Sequence, residues 1–386
     1  MQILNRHHLS KPSRAAMPSR AAMPWPAEAV YVGRGHPLGN PYRIGSDGTR
    51  EEVVEKYRGW LDVGVRRGDR NILAALRTLR ENSALVCSCA PKPCHAEVIA
   101  EVWARERERL TERPAVFVFG ANLAGHHGAG AARYAQAVFD ARPGVGAGTT
   151  GDAYAIPTKD ERLKTLPVER IIPEVRRFLR YASEHPDADF LVTPIGTGLA
   201  GYPVDWIAPL FAAPPKNVWF TDPEFDRVVP RPTETRRVIV AGSRSGIDQD
   251  TVFRALDALA KKWGGGRFEV IYGEASGVDT HGKRWAEARG CPARSFPAPW
   301  GDTGIPGAVI RKRHDGTQYN ARAGYARNAW MAAYGTHLAA FWDGVSPGTR
   351  SMIEIAQACG LPVWQPPVGE PVVDNRARGG IIDALP

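Results

Sequence analysis

Three glycine-rich turns near the carboxyl end carry the densest chemistry of this 386-residue chain. In "VIVAGSR" (238–244), "VIYGEASGVDTHGKRWA" (270–286) and "AFWDGVSPGTRSMIEIA" (340–356), an apolar run ends in a glycine turn that opens a helix-like stretch. Such turns leave backbone N–H donors unpaired at the positive end of a helix, which suits a phosphate. Arg244 can add a bidentate phosphate contact. Glu274 and Asp279 are the nearest carboxylates for stabilising an oxocarbenium-like centre or activating a water, whereas Glu354 reads as a structural residue on a helix face. The middle of the chain repeats the device in "VFVFGANLAGHHGAGAA" (116–132), "TTGDAYAIPTKD" (149–160) and "VTPIGTGLAGYP" (192–203). There Gly196, Thr197, Gly198 and Gly201 can aim consecutive N–H groups at an anion, with Tyr202 set to cover a sugar or base. His126 and His127 read either as solvated loop residues or, for one of them, as an acid–base group or phosphate contact.

Two features lie further toward the amino end. "AVYVGRGHPLGNPYRIG" (29–45) is an irregular loop with Arg34 at its tip and Asn40 beyond it. It can grip a phosphate or base, or merely cross over a sheet. Cys87, Cys89, Cys94 and His95, in "CSCAPKPCH" (87–95), have the donors of a zinc site, but the spacing lacks paired C-x2-C knuckles. The preferred reading is a strand-to-helix elbow shaped by the cysteines and prolines, with no cofactor required and zinc as the alternative. Cys94, at an expected helix start, is a candidate nucleophile with a lowered pKa.

The elements that must position these groups alternate along the chain. "RRVIVAG", "FEVIYG" and "THLAAFWDG" are strand candidates separated by amphipathic helical runs, the pattern of a parallel sheet with crossover helices. Proline-rich breaks at "MPWPAEA", "TERPA" and "DRVVPRPTETRR" divide the chain. The expectation is an α/β protein of three consecutive modules, at 25–110, 114–225 and 236–366, between flexible tails at 1–24 and 367–386. The last module is expected to be a Rossmann-like parallel sheet.

Composition excludes several classes. No apolar run is long enough to cross a bilayer, and five cysteines make no disulfide framework for a chain this size, so a cytoplasmic protein with reduced thiols is expected. The net charge of +9 suits polyanions and phosphorylated small molecules alike. Nothing in the sequence decides the oligomeric state.

Taken in order, the Asn122 loop, the Thr/Gly loop and "PIGTGLAGYP" resemble the macro domain over about 114–222. That resemblance implies binding of ADP-ribose or a related nucleotide, and in some members hydrolysis of ADP-ribosyl bonds. It places Asn122 at the distal ribose, Gly128 and Gly130 beneath it, and Gly196 to Gly201 on the diphosphate; His127 joins Asn122 as a candidate catalytic residue. The three carboxyl-terminal turns resemble the SLOG superfamily over about 236–366, the Rossmann-like group of DNA-processing protein A and the Lonely Guy phosphoribohydrolases. This implies nucleotide-facing loops at Gly242, Ser243 and Arg244, at Gly273, Gly277 and Asp279, and at Ser346, Gly348 and Thr349. Where Lonely Guy enzymes carry a glutamate after their Gly–Thr pair, this chain has Ser351. Residues 28–104 resemble a small uncharacterised domain common in phage genomes.

Together these resemblances imply a protein that binds, and in an enzymatic reading hydrolyses, an ADP-ribose-like or NAD-derived nucleotide. Its expected setting is nucleotide signalling, phage–host conflict or NAD metabolism. Two alternatives stay open: a nucleobase or nucleotide modification enzyme, and a protein that binds single-stranded DNA by stacking bases on Trp300, Trp330 or Trp342.

Overall fold

The computed structural model describes residues 1–7, 25–264 and 268–367. Its first elements are strands β1 (Gln2–Asn5) and β2 (Ala29–Tyr31), helices α1 (Arg50–Arg67) and α2 (Arg70–Arg77), strand β3 (Ala84–Cys87) and helix α3 (His95–Thr111). The strands form a parallel sheet in the order β1-β3-β2. The expected amino-terminal tail thus contains an edge strand at Gln2–Asn5; the rest of that tail from residue 8, and the carboxyl-terminal one from 368, lie outside the described residues. Thr49 starts α1 through a reciprocal capping box: Glu52 N donates to Thr49 Oγ1 at 3.3 Å, and Thr49 N donates to Glu52 Oε2 at 2.8 Å. Val53, Tyr57, Leu61 and Val65, four residues apart, form the buried stripe of that helix.

The middle elements are β4 (Ala115–Asn122), α4 (Gly130–Val138), β5 (Gly148–Thr150), β6 (Ala153–Lys159), α5 (Val168–Glu184), β7 (Asp189–Val192), α6 (Val204–Ile207), β8 (Val218–Phe220) and α7 (Pro223–Val228). Their sheet runs β5-β6-β4-β7-β8 and is parallel except for β5. Phe117, Val118 and Phe119 of central β4 are all buried, as an apolar run flanked by strands on both sides requires. Helix α2 packs against β7 and β8. There Arg77 Nη1 meets Asp189 Oδ2 at 2.6 Å with both side chains buried, and the Arg70 guanidinium lies 4.1 Å from the Trp219 ring. The amino-terminal sheet therefore clusters with Met1–Thr165, Phe178–Ala208 and Pro215–Val228 as one compact unit, and Leu166–Arg177, Pro209–Pro214 and the chain from Val229 cluster as the second.

The remaining elements are β9 (Arg236–Gly242), α8 (Gln249–Lys262), β10 (Phe268–Tyr272), α9 (Val278–Arg289), β11 (Ala293–Ser295), a hairpin of β12 (Ile310–Lys312) and β13 (Gln318–Asn320), α10 (Ala323–Tyr334), β14 (His337–Phe341), α11 (Pro347–Ala358) and β15 (Val363–Trp364). Five strands pair in parallel in the order β11-β10-β9-β14-β15. This is the expected Rossmann-like sheet, whose connections reverse direction between β9 and β14. In such sheets a crevice opens at the carboxyl ends of the strands flanking the reversal. Among the described residues, no helix is long and apolar enough to cross a membrane.

Candidate nucleotide site at a sheet edge

The crevice of the last sheet gathers the three glycine turns. Gly242 ends β9 where a Cβ would overlap the Phe341 carbonyl and lie 2.6 Å from Val278 Cγ2, so only glycine lets β9, β14 and α9 approach this closely. Ser243 N donates to Phe341 O at 3.0 Å, and Asp343 N donates to Ser243 Oγ at 3.2 Å, which ties the first turn to the third. Asp343 in turn accepts from Ser346 N at 2.8 Å and Val345 N at 2.9 Å; these backbone donors hold its carboxyl below the ordinary range. Helix α11 starts at Ser346 and α9 at Gly277, which has φ +77°; neither start has a side-chain cap. By contrast Thr49, Asp69, Cys94 and Asp248 cap α1, α2, α3 and α8 with their own side chains. Val278 N, the first of α9, donates to Ser243 O at 3.4 Å, and Pro347, the first of α11, has no N–H; no side chain caps the N–H groups that follow them, the arrangement an anion uses. Gly348 borders open space, where a Cβ would meet nothing within 4 Å, while Thr349 is buried and donates to Ser346 Oγ at 3.3 Å.

The two carboxylates of the second turn have different surroundings. Asp279 is buried and accepts from Gly273 N at 2.8 Å and Ala275 N at 3.4 Å, with Arg327 Nη1 at 4.0 Å. Burial pushes its pKa up, against Arg327 and the backbone donors, which pull it down. Its oxygens thus hold the loop in shape. Glu274 is exposed at the tip of the same loop with φ +61°, a strained conformation for a residue with a side chain. Arg244 is exposed on the neighbouring turn. Arg327 and Asn328, on α10, were not among the sequence candidates: Arg327 Nη1 donates to Gly273 O, Arg327 Nε donates to Asn328 Oδ1 at 3.0 Å, and Asn328 Nδ2 donates to Gly348 O at 3.2 Å. This pair links the second and third turns. Its signal in the sequence is an Arg–Asn step within the alanine-rich "AGYARNAWMAAY".

The middle loops are more closed. Both polar atoms of the buried Asn122 amide engage the His126 backbone: Nδ2 donates to His126 O at 2.8 Å, and Oδ1 accepts from His126 N at 3.1 Å. His126 is exposed, whereas His127 is buried edge-on to Phe119 with Nε2 3.2 Å from Val145 O, so the solvated-loop reading holds only for the first. His127 Nδ1 is buried with no hydrogen-bond partner. Gly128 and Gly198 border open space, Gly130 opens α4, and Gly196 faces Ile207. Thr197 Oγ1 donates to Pro194 O at 2.8 Å, and Gly201 N to Gly198 O at 3.0 Å. Tyr202, expected to cover a sugar or base, is instead buried and stacked on Trp206 with ring centroids 6.1 Å apart; its N–H donates to Gly196 O at 3.0 Å, which turns the chain back on the loop.

In the amino-terminal sheet, Arg34 is exposed and donates to Tyr42 O at 3.4 Å, and Asn40 Oδ1 accepts from Tyr42 N at 2.8 Å, a local turn bond. Cys87 ends β3 and Cys94 caps α3, which is the strand-to-helix elbow the spacing suggests. The sulfurs of Cys87, Cys89 and Cys94 also lie within 4.8 Å of one another. Hydrogen bonds from Cys89 and Cys94 hold the Cys87 thiol well below its ordinary value. The bond to Cys87 pushes Cys94 up, opposite to the lowered value expected of a helix-start nucleophile, because the three sulfurs compete for one negative charge.

Two family models match this chain. Residues 18–105 match DUF4326, a domain of unknown function, and residues 236–302 match the YspA, cpYpsA-related SLOG family. The carboxyl-terminal segment is thus similar to SLOG proteins, the class to which its strand order and glycine turns also point. Among solved structures, DNA processing protein A (DprA) from Streptococcus pneumoniae is 18% identical with a TM-score of 0.26, over 39% of this chain and 53% of that one. The chain therefore spans about half the length of that protein. No curated protein matches.

Proposed function

We propose that this protein binds a phosphorylated nucleotide of the ADP-ribose or NAD-derived kind at the carboxyl edge of β9, β10 and β14. The observation that carries this reading is the convergence there of two helix starts without side-chain caps, joined by a continuous hydrogen-bonded frame of Ser243, Asp279, Arg327, Asn328 and Asp343. Backbone donors of α9 and α11 take the phosphates, and Arg244 supplies a bidentate contact. Where cleavage follows, Glu274 is the carboxylate that faces the reacting sugar, stabilising positive charge at its anomeric carbon or taking a proton from the attacking water at an N-glycosidic bond. Asp279 positions the loop. The middle module is a second nucleotide site of macro-domain type, with Gly128 and Gly130 beneath a ribose and Gly196 to Gly201 at a diphosphate.

Calorimetric titration of the full chain with ADP-ribose, NAD, AMP and a short single-stranded DNA tests this, with Gly348→Glu and Gly198→Glu beside the unaltered protein. Loss of nucleotide binding in Gly348→Glu supports the carboxyl-terminal site, loss in Gly198→Glu supports the middle one, and new products on chromatography support hydrolysis. A second reading, binding of single-stranded nucleic acid, draws on the β12–β13 hairpin. Trp300, 39% exposed, lies beside Tyr319, and Arg311, Lys312, Arg313 and His314 are exposed with them. Binding of DNA alone, with affinity falling steeply as salt rises, would favour it.

A further inference from the structure

We propose that Cys87, Cys89 and Cys94 bind a zinc ion through three thiolates, leaving one coordination position for a ligand from outside the protein. Cap duty does not account for these residues, since serine, threonine or aspartate caps a helix better and an elbow needs one such residue rather than three. Two of the sulfurs, on Cys87 and Cys94, are buried 2.9 Å apart, and neither is in a disulfide. A tetrahedral zinc with Zn–S bonds of about 2.3 Å holds its sulfurs roughly 3.8 Å apart, within the reach of this cluster by small side-chain rotations.

The surroundings are those of sulfur carrying negative charge. Cys89 N donates to Cys87 Sγ and Ala96 N to Cys94 Sγ, each at 3.4 Å; the second is at the positive start of α3. The Arg50 guanidinium lies beside Cys89. Together these offset the surplus charge that three thiolates leave on a divalent ion. His95 donates from Nε2 to the Val32 carbonyl at 2.8 Å, which leaves Nδ1 as a bare acceptor 3.6 Å from Cys94 Sγ. Among the described residues, the donor atoms that lie within 4.8 Å of one another are the three sulfurs alone, so His95 stands beside the centre and not in it. Cys89 is only half buried, and its side is the way in for the ion and for the fourth ligand.

The test is titration of the reduced, chelator-treated full chain with Co2+ as a spectroscopic probe, then displacement by Zn2+. About one equivalent is expected to give intense near-ultraviolet thiolate-to-cobalt bands, lost on adding zinc. Cys89→Ser, at a half-buried position that leaves the core intact, should weaken binding at least tenfold; Cys291→Ser should not. Circular dichroism of each variant separates loss of the site from loss of the fold. Absence of thiolate bands in the folded, unaltered protein, or bands unchanged in folded Cys89→Ser, would overturn the proposal.

Discussion

Two sheet edges of this molecule are both built on parallel strands and differ in chemistry. At the carboxyl ends of β9, β10 and β14, glycine turns lead into helices α9 and α11, which start without a side-chain cap, so backbone donors face the crevice. At the ends of β2 and β3, helix α3 starts at Cys94, whose sulfur accepts the Ala96 N–H, and the neighbouring positions carry two more sulfurs. An edge of helix starts without side-chain caps suits an anion, and an edge lined with soft acceptors suits a cation. A parallel sheet supplies the place in both cases, and the first residues after each strand decide the charge of the guest.

The comparison is broken most severely at Gly242. Gly242→Val drives a side chain into Phe341 O and Val278, and we expect the second unit to lose about 3 kcal/mol or more, measured as an earlier transition in denaturant, with the amino-terminal edge unaffected. Gly348→Glu sharpens it. Its side chain enters open space, so the thermal midpoint should stay put while nucleotide affinity falls roughly 100-fold, about 2.7 kcal/mol, through repulsion and lost access. Calorimetry reads both quantities.

Acid should separate the two edges. Burial, and then the neighbouring His95, lower the pKa of His36 from 6.5 to about 4. Between those values the unfolded chain takes up a proton that the folded chain refuses, so stability falls as pH drops from 6.5 toward 4 and is unaffected above 6.5. The loss should approach roughly 3 kcal/mol by pH 4, and His36→Gln should flatten this part of the pH profile. The smallest effect concerns the caps. Thr49→Ala removes a working capping box and should cost about 1 kcal/mol, whereas Ser346→Ala, at a start with no side-chain cap, should cost a few tenths. Equal losses in paired melts would remove the distinction between the two kinds of helix start.

Much of the last sheet was legible in the amino-acid order because it depends on near neighbours. The strands expected at "RRVIVAG", "FEVIYG" and "THLAAFWDG" are β9, β10 and β14, each an apolar run with a glycine or a charged turn at its end. Thr49, with Glu52 three residues on in "TREE", has the local order of a capping box and is the cap of α1. The short β11, exposed throughout, and the β12–β13 hairpin carry no such apolar run, and their pairing is visible only in three dimensions.

The site divides along the same line. Residue types and spacing placed Gly242, Ser243, Gly277, Ser346 and Gly348 after strands, and a parallel sheet necessarily brings such turns to one edge. Whether Asp279 faces a ligand or a loop, whether His127 meets water or Phe119, and whether Arg327 reaches Gly273 depended on contacts between residues up to 54 positions apart. The same holds for the three sulfurs, whose spacing suggested an elbow and whose convergence required the chain to turn back on itself between β3 and α3. Local order determines where the backbone can turn, since turning is a matter of neighbouring dihedrals and caps. Only the tertiary structure decides which polar atoms remain unpaired once the chain has turned, because burial and partnership belong to the whole fold.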